Sequence, residues 1–328
     1  TLHIYMLHAP DFLGCESVLQ LAEQAPEVVQ RGLALKRAGN DLLALLGGRE
    51  VHPVNYRVGG FYSVPDRAAL GALEGPLAAA REAALQTVRW VAGFEFPDFE
   101  VSHELVALQA EGRYPMEDGR VVSSSGLDIA PAEFERHFVE EQLPHSTALY
   151  CRRRGGGLYM VGPLARYSLN SDLLAPGARL AAADAGLGPE CRNPFRSIVV
   201  RAVEVLHAVE EALEIIGRYE PPPRAWEPME LAPSTGHGVS EAPRGLLYHR
   251  YEIDGDGLIR AATITPPTSQ NQAAMEDDLR RVAQDNLQRS DEELTWLCEQ
   301  TVRNADPCIS CATHFLRLSI DRGAPGTG

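Results

Sequence analysis

Asp306-Pro307-Cys308-Ile309-Ser310-Cys311-Ala312-Thr313-His314 stands near the C-terminal end of a 328-residue chain, and the rest of the sequence is best read outward from it. Two cysteines three apart can aim both thiolates at one metal ion, because a single tight turn brings the sulfurs within ligating distance. Alone, the pair also fits half of a zinc site, a redox dithiol, or two buried thiols with no chemical role. The remaining cysteines, Cys15, Cys151, Cys191 and Cys298, make no second Cys-x-x-Cys. They read as small buried side chains.

Composition narrows the class. With 45% apolar and 23% charged residues the chain suits a globular enzyme with a substantial core. A net charge of −15 argues against nucleic acid, whose phosphates need clustered Lys and Arg. The basic run Arg152-Arg153-Arg154, followed by Gly155-Gly156-Gly157, reads as a solvated loop. No stretch approaches the roughly 20 apolar residues that a membrane-spanning helix needs. Six cysteines in this length do not form a disulfide framework, and free thiolates suit a reducing compartment, so the cytoplasm is expected.

Periodicity sketches a helical protein. Residues 16–46 read as a long helix, kinked or broken at Pro26 and stopped by Gly47-Gly48. Asp66 is a candidate N-cap for 67–91, which Gly75-Pro76 divides into a short and a longer helix. Short β-like runs occupy 105–108 and 121–124, and 131–139 reads as a short helix. The clearest helix is 195–216, apolar at three–four spacing and ended by Pro221-Pro222-Pro223. Runs 246–253 and 258–264 flank Asp254-Gly255-Asp256-Gly257 as a hairpin. A last helix, 275–302, leads into the cysteine motif. These elements predict an α+β fold, a single domain that is predominantly a bundle of long helices with small β-sheet portions.

The run Asp-Pro-Cys-x-x-Cys-x-x-His resembles the signature that ends the large, catalytic subunit of nickel–iron hydrogenases. Four further segments agree, in the right order. They are His3-Ile4-Tyr5-Met6-Leu7-His8-Ala9-Pro10-Asp11-Phe12; His52-Pro53 leading into Gly59-Gly60; Glu241-Ala242-Pro243-Arg244-Gly245 with Tyr248-His249 beyond it; and Pro266-Pro267-Thr268-Ser269-Gln270-Asn271. The resemblance spans residues 3 to 314 and implies the large-subunit fold. It implies reversible oxidation of dihydrogen at a nickel–iron centre whose iron carries cyanide and carbon monoxide.

Carried over residue by residue, the resemblance makes Cys308 a terminal nickel ligand and the base that accepts a proton, and Cys311 the bridge between the metals. Arg244 would hold a cyanide nitrogen through its planar donor fork, with Pro243 packed beside it and Asp306 orienting it. Thr268 would bond the second cyanide through its hydroxyl. His314 and the carbonyl of Ile264 would bind a magnesium ion, together with a Glu from a further N-terminal segment. Cleavage by a maturation protease would end the chain at His314, making residues 315–328 a propeptide; a permanently retained strand is the alternative. The family takes two more thiolates from an Arg-x-Cys-Gly-x-Cys motif that this sequence lacks. Because the chain opens on Thr1 inside a matching segment, an N-terminal portion carrying that pair is expected to precede it.

An iron–sulfur small subunit is the implied electron exit, since these cysteines cannot build a relay. The resemblance lies nearest the soluble cytoplasmic types linked to NAD(P) or another cofactor, which implies a flavin or NAD(P)-linked diaphorase partner. His52 would lie near the electron-transfer partner. His207 reads as a core histidine, and spacing assigns His3 and His8 no chemistry. Three rivals stand beside this reading: a non-catalytic complex I relative, a dihydrogen sensor with the same metals, and an unrelated zinc protein.

Overall fold

The computed structural model describes residues 1–15 and 17–307. Helix α1 (Pro26–Gly47) begins with its proline in the first turn and ends at Gly48, whose φ of +82° makes the left-handed cap. Pro26 therefore starts a helix and separates it from Val18–Gln24, which Ser17 caps. Asp66 caps Arg67–Gly71 through the Ala69 amide, and α2 (Glu74–Ala92) follows. The break falls at residues 72–73, so Gly75 and Pro76 occupy the first turn of α2, where an absent N–H costs nothing. Helix α3 is Pro163–Asn170, and α4 is Ser197–Arg218.

Helix α4 is the axis of the molecule. Ile198, Val199, Val200, Ala202, Val203 and Leu206 are buried on it, and they pack with Leu77, Ala80, Ala84, Val88 and Val91 of α2 in one apolar cluster. Each fully buried Val, Leu or Ile contributes roughly 1.5–3 kcal/mol relative to exposure. A second cluster gathers the strand residues Val106, Leu108, Phe138, Tyr159, Leu246 and Tyr248 around Phe134 from a short helical turn. Its aromatic centre is the Tyr248–Phe134 stack, with ring centroids 4.3 Å apart.

Three antiparallel strands, β1 (Ser234–Ala242), β2 (Gly245–Ile253) and β3 (Ile259–Thr265), form a sheet with β2 in the middle. The β2–β3 hairpin is the expected one: Asp254 Oδ1 accepts from the amides of Asp256 and Leu258, and Gly257 turns at φ +77°. A four-stranded sheet runs Asp128–Ile129, Arg120–Ser123, Glu104–Gln109, Tyr159–Met160, the last pair parallel. The architecture is α+β, as expected.

Three readings need correction. The helix at 131–139 is only two short turns, Pro131–Glu133 and Phe134–His137; Phe138 and Val139 already belong to the strand Phe138–Gln142, where Phe138 joins the second core. The basic run is no loose loop either. Arg152 and Arg153 lie in the partner strand Leu149–Arg153 and pair with Glu141 and Glu104. Finally, 275–302 is two helices, α5 (Pro267–Asp285) and α6 (Asp291–Asn304), because Ser290 and Glu293 make a reciprocal capping box that restarts the chain.

Candidate metal centre

Arg244 stands on a tight corner. Ala242 pairs with Gly245 in the β1–β2 ladder, so Pro243 and Arg244 form a two-residue hairpin turn. Two glycines let this corner press against the start of α3. Gly245 has φ +128° and Gly162 φ +106°; a Cβ on either would come 2.6 Å from backbone atoms of the opposing segment. The first turn of α5 stitches the same region together: Asn271 bonds both the amide and the carbonyl of Val161 at 2.8 and 3.2 Å, while Gln270 donates to the carbonyl of Leu246.

The corner meets the end of α6. Arg244 Nε donates to the Asp306 carbonyl at 2.7 Å, and Nη2 to Asp306 Oδ1 at 3.3 Å. Nη1 has no hydrogen-bond partner among the described residues. Asp306 adopts φ +49°, which costs a non-glycine residue strain, and bends the chain immediately before Pro307. From the other side, His3 Nδ1 lies 2.9 Å from Asp306 Oδ1, and His8 Nε2 donates to Asn304 Oδ1 at 3.0 Å. Arg201 and Ser197 of α4 both donate to the Asn304 carbonyl, at 2.8 and 3.0 Å.

Burial sets the charges here. It pushes the His3 imidazole down to about 4, with Arg201 adding to the effect, so the ring is neutral. Burial opposes ionisation of Asp306, yet the His3 contact and the guanidinium groups of Arg201 and Arg244 hold its carboxyl below the usual range. Arg201, wholly enclosed, falls to about 10 through desolvation and remains a cation.

No protein-family model matches the chain. The alpha subunit of sulfhydrogenase 1 from Pyrococcus furiosus is 30% identical over 324 residues, covering 97% of this chain and 74% of that protein. The chain belongs to the catalytic large subunits of nickel–iron hydrogenases. The beta subunit of the NAD-reducing hydrogenase HoxS from Cupriavidus necator is 28% identical over 346 residues, covering 92% of this chain and 68% of its own length. Among solved structures, an NAD+-reducing nickel–iron hydrogenase in the H2-reduced state shares the fold with a TM-score of 0.78 at 24% identity, covering 95% of this chain and 76% of that one. A nickel–iron–selenium hydrogenase variant from Desulfovibrio vulgaris Hildenborough gives 0.67 at 20% identity, covering 95% and 77%.

The structure of this hydrogenase subunit brings Pro243, Arg244 and Asp306 together and leaves Cys308, Cys311 and His314 outside the described residues. Thr268 is half-buried in the first turn of α5, and Ile264 lies on β3, an edge strand of its sheet. Cys15, Cys151, Cys191 and Cys298 are buried and unbridged, as expected. His207 is structural, accepting from the Ala175 amide at 3.1 Å through Nδ1. His52 sits in an exposed turn at φ +51°. A nickel–iron centre fits what is described, since a guanidinium with an unused nitrogen is pinned to Asp306, the residue directly before Pro307-Cys308.

Sequence reading missed a buried arginine that ties the corner to the helices behind it. Arg166 of α3 bonds Glu204 twice, at 2.6 and 2.8 Å, Glu241 at 2.9 Å, and the carbonyls of Ala242 and Pro243 at 2.8 and 3.4 Å. All five of its N–H groups are satisfied, and two of those bonds hold the corner that carries Arg244. A lone charge in the apolar run Pro163-Leu164-Ala165-Arg166-Tyr167 was the available signal, since a buried arginine demands partners. His3 was invisible because its partner is 303 residues away.

Proposed function

We propose that this chain is the subunit in which dihydrogen is split heterolytically and reversibly, with Cys308 and Cys311 supplying thiolates from its C-terminal motif. A bound nickel–iron centre supplies the polarisation that makes dihydrogen acidic, with cyanide and carbon monoxide on the iron. Cys308, as a terminal thiolate, accepts the proton. Arg244 gives its free Nη1 to a cyanide nitrogen while Asp306 fixes the fork from two sides, and lysine could not reproduce that geometry. Thr268 would donate a hydrogen bond from its hydroxyl to the second cyanide. His314 and the Ile264 carbonyl hold a magnesium ion.

The observation that carries this reading is the Arg244–Asp306 pair, 2.7 Å apart at Nε and the Asp306 carbonyl, directly before the cysteine motif. Electrons leave to an iron–sulfur small subunit, and onward to a flavin or NAD(P)-linked diaphorase subunit, the latter supported by the NAD-reducing relative. A maturation protease trims residues 315–328. No described helix is long and apolar enough to cross a membrane, and the unbridged buried cysteines suit a reducing compartment such as the cytoplasm. Dihydrogen-driven reduction of a viologen dye by the complex tests the reading. Cys308→Ser is expected to abolish turnover together with bound nickel, and turnover that survives the change overturns the assignment.

A further inference from the structure

Splitting dihydrogen releases two protons, and they must leave a site enclosed by protein. A cavity of about 20 Å³ lies at the end of α6, enough for one water molecule. Its lining includes Ser197, Arg201, Asn304 and Ala305, the last directly before Asp306. Asp278 of α5 lines the same cavity. Asp278 Oδ1 also lies 2.7 Å from His103 Nε2, and both side chains are about 5% exposed. His103 in turn lines a chamber of 440 Å³ that opens to solvent, together with Ser124, Ser125, Arg192 and Arg281. Neither residue belongs to any segment that carries the family resemblance.

A buried carboxylate–imidazole pair is ordinarily a packing device. This one differs because its two ends open onto different spaces, one inside the protein and one outside. We propose that Asp278 and His103 form a proton relay from the cavity at Asn304–Ala305 to bulk solvent, an inference that rests on the dihydrogen reading above. The Asp278 carboxylate takes a proton from the cavity water and passes one to His103 Nε2. The imidazolium then releases its Nδ1 proton to water in the chamber, and a turn of the neutral ring brings the bare Nδ1 to Asp278 and the Nε2 proton to the chamber, so that the two nitrogens exchange roles in the next cycle. One proton leaves for each that enters, and no electrons move.

The surroundings suit that task. Burial raises the Asp278 carboxyl above its usual range, although the His103 bond and the Arg281 charge oppose this, which makes it a better proton acceptor than a carboxylate in water. Asp277 and Arg281 act on Asp278, Arg201 shares its cavity, and Arg192 and Glu104 stand with His103 around the outer chamber. Arg192 Nη1 fixes the backbone beneath the imidazole by donating to the His103 carbonyl at 2.9 Å. His103, Asp277 and Asp278 are also close enough to share a cation. Asp277 is, however, already paired with Arg280, which favours the relay over a metal.

Isotope exchange reads the relay directly. Holoenzyme under D2 in ordinary water releases HD after one exchange and H2 after two in a single visit. The H2-to-HD ratio therefore reports how fast the site trades protons with solvent, whatever fraction of molecules is active. His103→Ala is expected to lower the ratio roughly tenfold or more, and imidazole, which fits the outer chamber, to restore it. Asp278→Asn should lower the ratio similarly without rescue. In wild-type enzyme acidified until Asp278 is protonated, its infrared carbonyl band, identified by its loss in Asp278→Asn, should shift at once on transfer to D2O at the same acidity, and at least roughly tenfold more slowly in His103→Ala. A ratio within about twofold of wild type in either variant overturns the relay. Should a variant fail to fold, a wild-type carboxyl that exchanges only over hours overturns it too. Wild-type enzyme that makes neither HD nor H2 refutes the dihydrogen reading instead, and leaves the carboxyl band to decide the path.

Discussion

Arg166 and Arg244 meet at the same hairpin corner, residues 241–245, and are put to opposite uses. Arg166 is 3% exposed, meets two carboxylates and two carbonyls, and has no donor left over. The side chain of Arg244 is 32% exposed, meets one aspartate, and keeps Nη1 unpartnered among the described residues. A guanidinium with every N–H satisfied can only hold structure. One fixed on two sides with a nitrogen to spare can hold a ligand. The first arginine locks Ala242 and Pro243, and thereby aims the second.

The largest effect should come from Arg166→Met, which strands Glu204 and Glu241 as buried carboxylates with no counter-charge. A loss of about 3–5 kcal/mol is expected, read from urea unfolding of the apoprotein. A loss below about 1 kcal/mol would erase the contrast between the two arginines.

Acid should act next, through the other side of the corner. The His3 imidazole is held at about 4 by burial, against about 6.5 when unfolded. The unfolded chain therefore binds the proton first. His3's share of stability is intact above its unfolded value and is lost as pH falls from there toward 4. The loss amounts to about 2 kcal/mol by pH 5, and His8, also pushed down by burial, acts in the same direction. His3→Gln should remove most of His3's part of the difference between urea midpoints at pH 7 and pH 5. Equal acid sensitivity in variant and wild type would place the lability elsewhere.

Arg244→Lys should have the smallest effect on stability, within about 1 kcal/mol, because the pair is partly solvated. Its effect on turnover should be the reverse, with most of it lost while the metals stay bound. Activity within about twofold of wild type would mean that the donor fork matters little.

The fold was legible where a short segment decides its own conformation. Asp66 and Gly48 cap their helices as expected, and Asp254 closes its hairpin with its own side chain. Two local signals were present but outweighed. Ser290-Asp291-Glu292-Glu293 is a capping box, yet apolar periodicity on both sides concealed the break between α5 and α6. Ser234-Thr235-Gly236-His237-Gly238 has little β-propensity, so β1 exists because β2 offers it a ladder. That strand is what turns Pro243-Arg244 into a corner. Of the site, the motifs that bring Arg244 to Asp306 were legible, and the joints around them were not. His3 with Asp306, Arg166 with Glu204 and Glu241, and His103 with Asp278 are all long-range pairs that only the packed structure brings together.

Infrared spectroscopy of the complex purified from its native host, with metal analysis of the same sample, tests the central claim most directly. Nickel and iron in equal amounts, with cyanide and carbonyl bands, are predicted. In Arg244→Lys the cyanide bands should move more than the carbonyl band, because on the proposed reading the guanidinium would bond a cyanide and not the carbonyl. Zinc without those bands, or cyanide bands indifferent to Arg244→Lys, would contradict the account.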